Sequence, residues 1–390
     1  MKEFRDILLL GIISFFADVS SEMIMPILPF FIYSLGGTGL AVGLIMGVGD
    51  GVANFAKIFS GKLSDKMGKR KVFMLAGYGS SAFSKLFFPF STHWWHLLFL
   101  RGIERIGKGM RGPPRDALIG DLVKEKRGEA YGIHRALDTA GAVVGSMLVL
   151  FLLWLFGFPA NLPLKELVGN EEIKEMLKII LIVASLIAFL AIPPIFLVRE
   201  ITGREKEEKE KLPKKLKKFI MIATIFYFGN FSYAFFLLRI GMENIFYAIF
   251  LYALFNISYA MLARYFGRLS DKIGRKFVIS LGYITFTFVC VGFVFIAYFP
   301  SQYFIPLSIA LFLLYGVVYA FIEGNQRAFV SDLSKSRGTA QGFFQASIGF
   351  ASIPAGIIAG KLWDIFPELT FIYGAVLSLI SAILLVTFDD

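Results

Sequence analysis

The sequence predicts an all-α membrane protein of twelve transmembrane helices, arranged as two pseudo-symmetric six-helix bundles. Three observations carry this. The 390 residues are 56% hydrophobic and only 18% charged, more apolar than a soluble domain, which averages roughly 45–50%. The charged residues bunch between long apolar runs, with the basic ones sorted to one side. A charged loop segment also occurs twice, once in each half of the chain.

The apolar runs place spans near 7–33, 39–60, 72–91, 96–121, 131–157 and 178–198. A second set falls near 218–238, 242–264, 277–299, 303–326, 338–360 and 369–387. Most hold the ~20 apolar residues a bilayer requires. The fourth is the exception, with five basic residues from Arg101 to Arg115. Topology demands it nevertheless. The basic segment 61–71 marks the cytoplasmic side, and the aromatic His93-Trp94-Trp95-His96 reads as an interfacial belt on the far side. Lys124, Lys126 and Arg127 mark the cytoplasm again, so 96–121 must cross.

Roughly 26 Lys and Arg fall in the segments assigned inside and about 5 outside. This predicts a multi-pass plasma-membrane protein with both termini cytoplasmic. Residues 1–6 lead into the first span without a small-residue cleavage site, so that span is expected to be retained. The outer loop near 159–177 is expected to form a short surface helix. Residues 199–217, rich in alternating Lys and Glu, divide the chain into bundles 1–198 and 218–390. Such a run reads as a solvated connector or as a lipid-facing amphipathic helix.

The composition also excludes several functions. The net charge of +11 is spread over loops and forms no single stripe for nucleic acid. One cysteine, Cys290, and three histidines leave no basis for disulfides or a metal centre. No P-loop is present, so ATP-driven pumping is not expected. A membrane enzyme would need clustered histidines or a Ser-Lys pair in a water-accessible span, and none is expected here. No cofactor is predicted.

The repeat orders the two halves. Gly61-Lys-Leu-Ser-Asp65-Lys-Met-Gly68-Lys-Arg70 returns as Gly267-Arg-Leu-Ser-Asp271-Lys-Ile-Gly274-Arg275-Lys276. A second pair, from Asp121 to Gly132 and from Asp332 to Gly342, follows in the same order. With six spans each, the halves share one orientation and relate by an axis along the membrane normal. This doubled loop motif, present between spans 2–3 and 8–9, resembles the major facilitator superfamily over the whole chain. The resemblance implies a secondary transporter that works as a monomer by alternating access to a midplane site between its halves.

In the loop motif, Gly61 and Gly267 are expected to end a helix beside a close neighbour. Asp65 and Asp271 are placed to cap a neighbouring helix N-terminus or pair with a basic residue, and Arg70 and Arg275 complete the candidate gating loop. Gly68 and Gly274 suit a left-handed turn. The resemblance implies a cytoplasmic latch here; a topogenic turn is the plainer reading.

Ionisable groups within spans mark function by default. Asp18 and Glu22, four apart in span 1, share a helix face and form the leading proton-coupling pair. A fixed ion pair with basic residues of span 4 or 5 is the alternative. Pro26 and Pro29 loosen the helix just beyond. Span 4 resembles the superfamily's R-x-x-Q-G motif at Arg105 and Gly109, with Lys108 in place of Gln. Arg101 and Arg105 are the expected cavity residues, while Arg111 and Arg115 can snorkel.

In span 5, His134 and Asp138 are further proton candidates, although Asp138 can simply pair with Arg135. Gly141 and Gly145 favour close packing. They resemble the antiporter motif of drug exporters, with Ser146 where that motif has Pro. The second half offers Asn230 and Glu323 beside Arg101, Arg105 and Arg135 as substrate contacts, and it is rich in Phe. The expected function is therefore proton-coupled export of a hydrophobic or amphiphilic small molecule, with lipid as surroundings. Import or exchange of a small anion at the basic span 4 is the alternative.

Overall fold

The computed structural model describes residues 2–123, 127–201, 212–296, 298–334 and 336–388. Every regular element among them is helical, as a bilayer demands of backbone that must satisfy its own hydrogen bonds. Lys124, Lys126 and most of the predicted connector lie outside the described residues. Two compact units emerge: Met1–Gly37 with Val48–Lys206, and Thr38–Gly47 with Glu207–Asp390.

In the first unit, α1 (Lys2–Ile24) and α2 (Leu28–Ser34) form one broken rod. The break falls at residues 25–27, where Pro26 removes an amide donor. Then come α3 (Gly39–Met67), α4 (Lys71–Phe87), α5 (Trp94–Leu122), α6 (Arg127–Leu155), α7 (Glu171–Phe189) and α8 (Pro193–Leu197). The second unit holds α9 (Lys214–Gly229), α10 (Ala234–Gly241), α11 (Ile245–Ile273), α12 (Arg275–Phe295), α13 (Ser301–Asp332), α14 (Arg337–Ile365) and α15 (Pro367–Val386). It also takes in the first turns of α3. The amides of Gly39 and Leu40 donate to Asp364 at 2.7 and 2.9 Å, which caps that helix.

Ten helical stretches among the described residues are long and apolar enough to cross a bilayer. α4 and α5 are not among them: α4 has 17 residues, and α5 is a 29-residue helix dense in charge. α5 is nonetheless wedged between neighbours through glycine. A Cβ on Gly107 would sit 2.6 Å from the Gly77 carbonyl oxygen of α4, and one on Gly109 would sit 2.3 Å from that of Ala53 in α3. The outer loop contributes a single 3-10 turn, Leu164–Glu166, and α7 then starts with Asn170 accepting from the Ile173 amide at 3.1 Å.

The second unit is knit by rings. Phe226 stacks on Tyr283 at 4.0 Å, and Phe236 meets Phe293 and Tyr315 at 4.8 and 4.5 Å. Phe226, Phe231, Phe236, Phe293 and Phe371 are all buried, so much of the phenylalanine expected to suit a hydrophobic substrate is core packing. Cys290 lies in this core too, beside Gly374.

The loop motif differs in one respect from its expected form. Gly61 and Gly267 lie inside α3 and α11 and do not end them. A Cβ on Gly61 would meet Pro113 at an ordinary 3.4 Å, and one on Gly267 would meet nothing within 4 Å. Gly68 and Gly274 have φ of +64° and +97° at the turns, a backbone conformation that costs glycine little.

Candidate functional site

The charges of the first unit converge because α1 and α6 touch backbone to backbone. A Cβ on Gly141 would sit 2.5 Å from the Phe15 carbonyl oxygen, and one on Gly145 would sit 2.5 Å from that of Val19. Asp138 lies one turn before Gly141, so its carboxyl stands close to that of Asp18 of α1. Like charges set side by side repel, so two neighbouring carboxyls are costly to ionise together.

Arginines frame the pair. Arg111 stands 3.9 Å from Asp18 and lies over the Tyr78 ring at 4.3 Å. Arg115 is 4.0 Å from Asp138 and donates to Ser14 Oγ at 3.0 Å. Ser14 Oγ is also hydrogen-bonded to His134 Nε2 at 2.8 Å. Arg135 donates to Asp138 at 2.9 Å.

The sequence ties Asp18 to Glu22 on its own helix; across the helix interface Asp138 also stands beside it. The cations beside the two aspartates include Arg111 and Arg115, which were expected to snorkel, and Arg135. Arg105 pairs with Asp50. Arg101 is 2% exposed, donates to Glu104 at 2.7 Å and to Met25 Sδ at 3.1 Å, and so is bound within the helix packing.

One residue passed over in the sequence is Lys85. It lies near the end of α4, where a lysine would ordinarily reach the membrane surface, yet it is only 1% exposed. Its Nζ donates to Ser20 Oγ and Ser21 Oγ, both at 3.0 Å.

In the second unit, Glu323 accepts from Tyr259 at 2.6 Å and pairs with Arg327 at 3.0 Å. Asn230 ends α9 at a break before α10, and its Oδ1 is buried without a hydrogen bond. Gln326 joins Tyr227 and Tyr283 in a chain of 3.0 and 2.7 Å bonds.

At the turns between helices, Arg70 pairs with Asp65, bonds Ser64 and lies 3.6 Å from Asp121. Arg275 makes the corresponding set with Asp271, Ser270 and Asp332. In the repeated motif Arg275 aligns with Lys69, so the two copies use adjacent positions of the basic pair. The amides of Arg70 and Lys71 donate to Glu200 at 2.7 and 3.0 Å, and Lys71 Nζ donates to the Val198 carbonyl at 2.6 Å. The cap of α4 is therefore Glu200, not Asp65.

The major facilitator superfamily model matches residues 10–354 and 220–390. The chain belongs to the major facilitator superfamily. An MFS-type transporter of Methanocaldococcus jannaschii is 43% identical, over 98% of this chain and 94% of that one. Among solved structures, a mutant of the nucleoside transporter NupG superposes with a TM-score of 0.81 at 15% identity, covering 99% of this chain and all of that one. The multidrug resistance protein MdtH of Photorhabdus laumondii is 29% identical over 32% of this chain and 31% of its own length. As a superfamily member the chain is a multi-pass membrane protein, and its activity is secondary transport of a small molecule.

Proposed function

We propose that this superfamily member couples proton movement to export of an amphiphilic small molecule, with Asp18 and Asp138 as the proton-carrying pair. The close approach of these two carboxyls across the α1–α6 contact carries the reading. Such a pair can share one proton, and a change in helix separation would let it take up or release charge. Arg111 and Arg115 balance the charge that appears when the proton leaves. His134 and Arg115, both bonded to Ser14, extend a polar path from the pair. The local likeness to MdtH supports export.

In this reading α4 and α5 also cross the bilayer, giving twelve spans. Two six-helix bundles, 1–198 and 218–390, are joined by 199–217, and a monomer sits in the plasma membrane with both termini cytoplasmic. Alternating access follows from the repeat, with the charge clusters at Arg70 and Arg275 as latches. Arg135, Asn230 and Glu323 remain the proposed substrate contacts. The anion alternative has less support, since Arg101 and Arg105 each already hold a carboxylate.

Purified protein in liposomes with a trapped pH dye tests the proposal, screened against amphiphilic drugs, lipids and small anions. Proton flux driven by one class is expected to vanish in Asp18→Asn and Asp138→Asn and to persist in Glu22→Gln. Full coupling in both Asp variants would refute the site, and substrate movement without proton flux would refute the coupling.

A further inference from the structure

We propose that Lys85 is a positioning residue for the Asp18–Asp138 pair, acting through a buried charge clamp on the end of α1. The proposal rests on the proton-coupling reading above. Its physical basis is a stripe of α1. Asp18, Ser21 and Met25 are three and four residues apart, so they lie along one helix face. Each receives a cationic side chain from α4 or α5: Arg111 at Asp18, Lys85 at Ser21 and Arg101 at Met25. Lys85 also holds Ser20.

The clamp closes on itself. Arg101 donates to Glu104, and Ser81 of α4 lies 3.5 Å from the other Glu104 oxygen. Glu104 is also the carboxylate acting on Lys85, with Arg101, Lys108 and Arg111 as the opposing cations. Lys85, Arg101 and Glu104 are 1%, 2% and 1% exposed. Charges so thoroughly removed from water hold their geometry only while each retains its partners.

The clamp grips α1 in its last turn, just before the break at residues 25–27. A helix ending at a proline break is free to swing there unless something outside it fixes the end. Lys85 and Arg101 supply that restraint from two neighbouring helices. Asp18 lies less than one turn before Ser20 and Ser21, so their position governs where its carboxyl meets Asp138. Loss of the Lys85 head group is expected to leave Ser20 and Ser21 without their restraint, with Arg101 at Met25 and the Gly141 and Gly145 contacts remaining.

Two readouts that need no substrate test this in Lys85→Met and in the Ser20→Ala/Ser21→Ala double variant, both in lipid nanodiscs. The first is the infrared carbonyl band of a protonated carboxyl, identified by its loss in Asp18→Asn. The second is amide deuterium uptake over residues 18–27. The band is expected to shift toward that of an unbonded acid in both variants, with uptake rising several-fold.

The serine variant keeps every charge in place, so it answers the question if Lys85→Met fails to fold. A band present in the native protein and unmoved in either folded variant overturns the clamp. Absence of any such band in the native protein overturns the shared-proton reading instead. Deuterium uptake then decides the clamp alone, an increase supporting it and unchanged uptake overturning it.

Discussion

Gly145 leaves 2.5 Å between the place a Cβ would occupy and the carbonyl oxygen of Val19. The neighbour is backbone, which cannot rotate aside as a side chain can. Gly145→Ala is therefore expected to cost about 1–3 kcal/mol and to part Asp18 from Asp138. Gly132, on the same helix, faces open space. Gly132→Ala is expected to be neutral or to stabilise by up to about 1 kcal/mol. Thermal unfolding of both variants in one detergent checks the contrast.

Glu104 and Arg101 form one ion pair, yet their losses are not equivalent. Glu104 pairs directly with Arg101 and also lies within electrostatic reach of buried Lys85, so its removal affects two cations, whereas removal of Arg101 leaves Glu104 with Lys85 nearby. Glu104→Gln is expected to destabilise by about 3–5 kcal/mol, and Arg101→Met by distinctly less. Equal shifts in unfolding temperature would contradict this division of roles.

Glu200 receives two backbone amides that would otherwise open α4 without a partner. Glu200→Gln keeps an acceptor but loses charge, while Glu200→Ala loses both. Losses of a few tenths and about 1 kcal/mol are expected, respectively. Because Arg70 belongs to the Asp65 cluster, Glu200→Ala is also expected to slow transport, read as initial rate in liposomes.

Gln326 binds the hydroxyls of Tyr227 and Tyr283 in the aromatic core of the second unit. Gln326→Leu strands both, at a cost of about 1–3 kcal/mol. Adding Tyr227→Phe and Tyr283→Phe removes the stranded groups, so the triple variant is expected to unfold at a higher temperature than the single one.

Much of the fold was legible because the bilayer imposes its own length and polarity on each helix. Even α5, too charged for hydropathy, was recoverable as a helix from the basic residues that follow it and Trp94-Trp95 at its start. Partners across helices were harder. Helical spacing ties Asp18 to Glu22, but the choice of Asp138 depends on how closely Gly141 and Gly145 admit α1. That separation appears in no local pattern. Lys85 was hidden for a related reason, since its depth depends on the two serines of α1 that receive it. The arginine paired with the motif aspartate also moves by one position between repeats, from Arg70 to Arg275, because α4 begins just after the basic pair and α12 begins within it. Phenylalanine has two uses that composition does not separate: Phe226, Phe236 and Phe371 pack the core, while Phe250, Phe288 and Phe350 are exposed.

The one cysteine of the chain, Cys290, is wholly enclosed beside Gly374. A thiol in that place offers maleimides and spin labels nothing to react with while the protein stays folded. The native chain is thus already a silent background for probe chemistry. A cysteine introduced on either side of the break in α1 would carry the sole reporter, and its motion could be followed without first rebuilding the protein.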